Sequence, residues 1–242
     1  MNAQAIKLQY ALELLETQTL SSFIKYMREL YQQASEKKSK GVQRLVADKR
    51  FAKAYSLATT SLIEHPKLGK LKEIVLHTIT ENLHAKIIIF AQYRETVRKI
   101  AEMLNTLKGV KAKGFIGQAS KSGKSDGMNQ KEQKKILQEF SLGEINVLAA
   151  TSIGEEGLDI PEVNEVIFYE PVPSAIRKIQ RAGRTARLFP GELKILITKN
   201  TRDQTFHYVA GAKERKMHSA INQIKENFAA QEKQEKQEKL EL

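Results

Sequence analysis

Apolar residues in the first sixty positions recur three and four apart. Leu20, Phe23, Ile24, Met27, Leu30 and Tyr31 share one helical face, and no strand-like alternation appears over residues 3–62. A polar, basic stretch, Glu36-Lys37-Lys38-Ser39-Lys40-Gly41, predicts a linker, after which helical spacing resumes at Val42–Val46 and Phe51–Tyr55. The stripes predict an all-helical segment too thin to make an independent core, so its apolar face must pack on something else. His65-Pro66 predicts a break, because the residue before proline favours extended backbone. Leu68, Leu71, Ile74, Val75 and Ile79 then mark another amphipathic helix.

Beyond that helix the texture changes. Nearly continuous apolar runs at Lys86–Ala91, Val110–Ile116, Ile145–Ala150, Glu165–Tyr169 and Leu193–Thr198 alternate with helical patterns at Glu95–Leu107, Asn129–Phe140 and Ser174–Ala182. Runs buried on both faces and joined by helices predict a parallel sheet with right-handed crossovers, an α/β unit over about residues 66–205. From Thr201 a long helix is expected, and the tail at 229–242, with its repeat QEKQEKQEKLEL, reads as a frayed helix or disordered tail.

Composition narrows the chemistry. The 242 residues include no cysteine, which excludes disulfides and thiolate catalysis, and the five histidines are dispersed. His77 and His84 alone are close, two helical turns apart, a poor metal spacing, so no metal site is expected on the chain itself. No apolar stretch approaches the length of a membrane helix and no signal-peptide core opens the chain, so a cytoplasmic protein without membrane contact is expected. Forty Lys and Arg against 28 Asp and Glu give a net charge of +12, a balance that attracts polyanions.

In open parallel sheets, ligands lie beyond the carboxyl ends of the strands. Three segments there carry candidate chemistry. Phe90-Ala91-Gln92-Tyr93-Arg94-Glu95-Thr96 offers an arginine and backbone amides to a phosphate, although helix capping by itself would explain it. Thr151-Ser152-Ile153-Gly154-Glu155-Glu156-Gly157-Leu158-Asp159 offers two hydroxyls to a phosphodiester, two glycines for close approach, and a carboxylate placed for a ribose. The bland alternative is a turn with solvated acids. In the third segment, Arg177, Lys178, Arg181, Arg184 and Arg187 crowd together with no acid between Glu170 and Glu192. Unpaired guanidinium groups at that density repel one another unless an anion is expected, and the arginine fork suits phosphate.

The stretches ATSIGEEGLDIP and QRAGRTAR resemble motifs V and VI of superfamily 2 helicases, and IIIFAQYRET looks like motif IV. Over about residues 60–220 the chain is similar to the second RecA-like domain of the Hef branch, which stands with the Fanconi-anaemia group M helicases and is related to the RIG-I-like branch. The first sixty residues resemble part of that branch's thumb-like helical insert. The resemblance implies three regions: 1–62 helical, 66–222 a RecA-like parallel sheet flanked by helices, and 229–242 a polar tail. It implies the C-terminal half of an ATP-dependent DNA helicase or translocase acting on forked or branched DNA. Arg184 and Arg187 would then be arginine fingers, and Gln180, Asp159 and Gly157 would serve ATP. Thr151, Ser152, Gly154, Arg94, Gln133, Lys121 and Lys124 would face nucleic acid. The cofactors implied are ATP and Mg2+, held mainly by a first RecA-like domain supplied in cis or trans. An RNA-directed relative and a non-catalytic nucleic-acid-binding module are the alternatives.

The sequence departs from a complete motor. No phosphate loop is present: Ser122-Gly123-Lys124-Ser125 imitates the end of one but lacks the upstream glycine and opens no apolar helix. No acidic box follows a strand. This chain by itself is expected to hydrolyse no appreciable ATP.

Overall fold

The centre of the fold is a sheet of five four-residue strands, β1 (Ile87–Phe90), β2 (Ala112–Phe115), β3 (Val147–Ala150), β4 (Glu165–Phe168) and β5 (Glu192–Ile195). The computed structural model describes residues 2–118, 127–151, 161–172 and 192–217, together with 219 and 222. All pairings are parallel and the sheet order is β2-β3-β1-β4-β5. In β1, β3 and β4 every residue is buried, as expected of central strands covered on both faces.

Each strand predicted from sequence is present but shorter at its ends. The apolar runs report burial, which outlasts the paired ladder. Ala91, Tyr169 and Leu196 lie just past their strands and still donate to Ala150, Phe90 and Phe168 carbonyls at 2.9, 2.9 and 2.8 Å.

Helices cover the two faces. On one, α5 (Pro66–Glu81) and α6 (Arg94–Leu104) bring Leu71, Val75, Val97, Ile100 and Leu104 onto Ile87, Ile89, Val147 and Ile167. On the other, α7 (Gln130–Leu142) lays Ile136 and Phe140 against Ile88, Phe90, Leu148 and Phe168. The expected break at His65-Pro66 is the start of α5: proline sits in the first turn, where its missing N–H costs nothing, and the His65 ring caps the helix. α6 ends three residues before its apolar pattern does, because Thr106 and Leu107 turn back onto Met103 and Leu104 while Leu107 stays buried. α7 opens on a capping box, Asn129 and Glu132 bonding each other's backbone amides, and closes on Gly143 at φ 78°.

The helical segment comprises α1 (Asn2–Thr17), α2 (Leu20–Ser35), α3 (Lys40–Ala47) and α4 (Lys49–Thr60). It has a small core of its own, with Leu14, Phe23, Met27, Leu30, Val42, Leu45 and Phe51 buried together. The basic linker proves shorter than its polarity implies, since Lys40 and Gly41 already belong to α3. A further helix runs over 202–217. The expected helix at 174–182 and the tail at 229–242 lie outside the described residues.

Candidate nucleic-acid interface

Because β1, β3 and β4 are paired without stagger, Phe90, Ala150 and Phe168 stand level, with Phe115 and Ile195 level beyond them. Everything that follows these residues therefore gathers on one edge, the carboxyl edge. Three of the sequence-predicted residues are described there, each held differently.

Arg94 is the first residue of α6, and its Nη2 donates to the Gln118 carbonyl at 2.8 Å, bridging the segments after β1 and β2. Gln133 is 6% exposed, with Nε2 on the Ile116 carbonyl at 3.0 Å. Ile116 follows edge strand β2, so this side-chain amide satisfies a carbonyl that no further strand covers. Thr151 is also 6% exposed, and its amide donates to Phe115 O at 3.0 Å, extending the β2–β3 ladder one step past the strands. The structure thus joins Arg94, Gln133 and Thr151 through the backbone at residues 115–118. Ser152, Gly154, Gly157, Asp159, Gln180, Arg184, Arg187, Lys121 and Lys124 lie outside the described residues, and with them every residue assigned to ATP.

Sequence reasoning missed Glu170, which follows β4 on the same edge and is 6% exposed. Its carboxylate accepts the Gln92 backbone amide and, at 3.3 Å, Gln18 Nε2 from the α1–α2 junction. Gln18 Oε1 accepts the Thr96 hydroxyl at 2.9 Å, and Thr96 lies 3.0 Å from Ser22 Oγ. With the Thr96 proton committed to Gln18, Ser22 is the donor in that pair. A continuous buried chain of hydrogen bonds therefore ties the helical segment to the ends of β1 and β4. The signal was present, an acid one residue beyond an apolar run, but its partner lies 152 residues away in the chain.

A second anchor lies alongside. Lys67, 5% exposed, pairs with Asp203, donates to the Thr17 carbonyl at 3.0 Å and stands 5.1 Å from the Tyr169 ring centroid. Burial lowers the Lys67 pKa, and the Asp203 carboxylate opposes that shift. Asp203 also accepts the Thr198 amide at 3.0 Å, fixing the start of the helix over 202–217. His65 completes the junction. Nδ1 accepts the Lys67 amide at 3.2 Å, which leaves Nε2–H to donate to Glu16 O at 2.8 Å. Desolvation holds the His65 pKa below its ordinary value.

No group of three or more potential metal ligands occurs among the described residues. None of the described helices is long and apolar enough to cross a membrane.

A parallel sheet in this strand order, with its polar groups collected on the carboxyl edge and a helical segment anchored there, is the second RecA-like domain of a superfamily 2 helicase. Residues 66–189 match the helicase conserved C-terminal domain family, to which the chain belongs, and residues 1–65 match the helical bundle of putative ATP-dependent RNA helicases. The crystal structure of the Pyrococcus furiosus Hef helicase domain is 50% identical with a TM-score of 0.65, covering 85% of this chain and 42% of that one. The putative ATP-dependent RNA helicase MJ1505 of Methanocaldococcus jannaschii is 47% identical over 215 residues, 89% of this chain and 27% of that protein. The ATP-dependent DNA helicase mph1 of Neurospora crassa is 33% identical over 211 residues, 83% of this chain and 18% of that protein. The chain thus spans well under a third of the length of these two curated relatives, 27% and 18%.

Proposed function

We propose that the chain is the C-terminal half of an ATP-dependent DNA helicase or translocase acting on forked or branched DNA. The observation that supports this best is the joining of Arg94, Gln133 and Thr151 on the carboxyl edge of the sheet. Arg94, Thr151, Ser152, Gly154, Lys121 and Lys124 serve the nucleic-acid backbone, while Gln133 positions the end of β2. Arg184 and Arg187 neutralise charge on the transferring phosphoryl group, Gln180 couples the nucleotide to the domain interface, and Asp159 with Gly157 serves the ribose side. The phosphate loop and acidic box that hold ATP and Mg2+ come from a first RecA-like domain, in cis or trans. None of the nucleic-acid residues is of a kind and placement that reads bases, which suits a motor indifferent to sequence. The division into a helical region at 1–62 and a RecA-like region at 66–222 belongs to this proposal.

Two measurements test it. The purified chain binds DNA with strong salt dependence but turns over no appreciable ATP, and turnover that survives Arg184→Ala would sink the arginine-finger assignment. Where such a finger operates it contributes about 10³- to 10⁵-fold. Arg187→Ala leaves DNA binding nearly unchanged; loss of binding would make that segment a nucleic-acid contact instead.

The name of the Methanocaldococcus relative supports a second reading, an RNA-directed helicase half. Competition between forked DNA and duplex RNA of equal length separates the two readings.

A further inference from the structure

Beside Arg94, where α1 and α2 meet the start of α6, three tyrosines converge from three elements. Tyr10 of α1 and Tyr26 of α2 meet edge-on at 4.7 Å, and Tyr93, which precedes α6, stands 6.1 Å from Tyr10. They line an open pocket of about 290 Å³, at the small end of the ligand-site range of about 300–1,000 Å³. Helix packing alone would have closed this seam, since all three rings also rest on the core of the helical segment.

The charged groups around the pocket cancel. Lys25 and Arg94 face Glu29 and Glu95, and Lys25 pairs with Glu95 at 3.3 Å. A phosphate site would hold an excess of cations, and a purely apolar ligand would be poorly matched by four ionised groups. Aromatic walls with donors and acceptors at the rim suit a planar, uncharged heterocycle. Burial raises the pKa values of all three phenols, Tyr26 to about 12, and the Tyr26 hydroxyl already donates to Lys7 O at 3.4 Å. The pocket is continuous with the carboxyl edge through Arg94, which lines it and is bonded to Gln118.

The geometry points to a stacking subsite for one unpaired nucleobase, formed by Tyr10, Tyr26 and Tyr93 at the seam between the helical segment and the RecA-like sheet. The inference rests on the reading that this edge binds nucleic acid, and it adds a preference for strands with an unpaired end. Backbone contacts are indifferent to pairing, whereas a stacked base must first be free of its partner.

The test uses the full 242-residue chain and a DNA duplex carrying an unpaired tail. Iodouracil placed in the tail photocross-links to Tyr10, Tyr26 or Tyr93 in the unaltered protein, and a fluorescent purine analogue at the same position is quenched on binding. Tyr26→Leu weakens tailed-duplex binding about tenfold, within the range of one base–aromatic stack, while blunt-duplex binding holds and Tyr26→Phe restores the tail preference. Should the chain bind DNA yet cross-link only outside these tyrosines, or bind blunt and tailed duplexes equally, the subsite is overturned and the motor reading stands. If the chain binds no nucleic acid at low salt, both fall together. The cross-link needs no variant, so a poorly folded Tyr26→Leu does not rescue the inference.

Discussion

The two edges of the sheet solve the same problem in opposite ways. Every strand end leaves backbone and polar groups that need partners. At the amino edge those partners come from inside the RecA-like region. Asn164 accepts the Lys86 amide and Asn146 accepts the Lys111 amide, both at 2.8 Å, and Asn146 donates to Gly109 O at 2.7 Å. Glu165, 1% exposed, accepts the Thr78 hydroxyl and pairs with Lys194 at 2.7 Å. At the carboxyl edge, partners come from outside that region as well as from within it. Glu170 reaches Gln18 in the helical segment, Lys67 reaches Thr17, and Arg94 reaches the segment after β2. One edge is closed upon itself; the other fixes the relative position of three parts of the molecule. On the proposed reading, the second arrangement lies where ligands bind, so that a shift in any one part is felt by the others.

Asp203→Ala strikes the carboxyl edge hardest. It leaves Lys67 buried without its carboxylate and costs about 3–5 kcal/mol in chemical denaturation. The double change Lys67→Met with Asp203→Leu costs far less, since both charges go together. If the single change proves as mild as the double one, the pair is no anchor.

Asn146→Ala sharpens the contrast from the other side. Losing two hydrogen bonds at the amino edge costs about 1–2 kcal/mol of stability and leaves DNA affinity unaltered. Arg94→Ala reverses that pattern. DNA binding weakens about tenfold at low salt and the slope of log affinity on log salt falls by about one, with little change in melting temperature. If Asn146→Ala impaired binding as much as Arg94→Ala, the division of labour between the edges would be lost.

The smallest effect is that of His65. Its folded pKa lies below the unfolded value of about 6.5, so the unfolded chain takes up the proton first. Its contribution is complete above that value and is lost as pH falls through the lowered folded one. Protonation also removes the ring nitrogen that accepts the Lys67 amide, the N-cap of α5. Acidification from neutral pH to about pH 5 therefore lowers the melting temperature by about 2 °C through this group, an N-cap of about 1 kcal/mol or less. His65→Asn, which caps without titrating, removes that part of the pH dependence.

Much of this was legible in the chain. Apolar runs bounded by polar residues located β1, β3 and β4 most sharply, because a central parallel strand has no solvent face to blur the pattern, whereas the edge strands β2 and β5 carry exposed residues. The rule that ligands collect at the carboxyl ends then pointed to Arg94 and Thr151 before any geometry was known. The α1–α2 junction was not legible: Thr19 caps α2 by accepting the Ser22 amide, but α1 carries apolar residues on both of its sides, with Leu8, Leu12 and Leu15 exposed, and so shows no clear stripe. Nor was the bond from Gln18 to Glu170, because a side-chain pair so distant in sequence leaves no periodic trace. Gln133 was expected by resemblance to face nucleic acid, but the sequence did not show that it is buried with its amide on the Ile116 carbonyl.

The strand order has a consequence for how the chain reaches its structure. Of the described strands, β1 is made before β2, yet the two are not neighbours. β3 must enter between them, and β1 waits longer still for β4, whose partner residues lie 78 positions downstream. The helices of the first sixty residues make their contacts close in sequence and form early, whereas the sheet cannot be complete until residue 195 has been made. Until β3 is made at residue 150, the apolar Ile87–Phe90 strand has no partner on either side and is open to wrong pairing during synthesis.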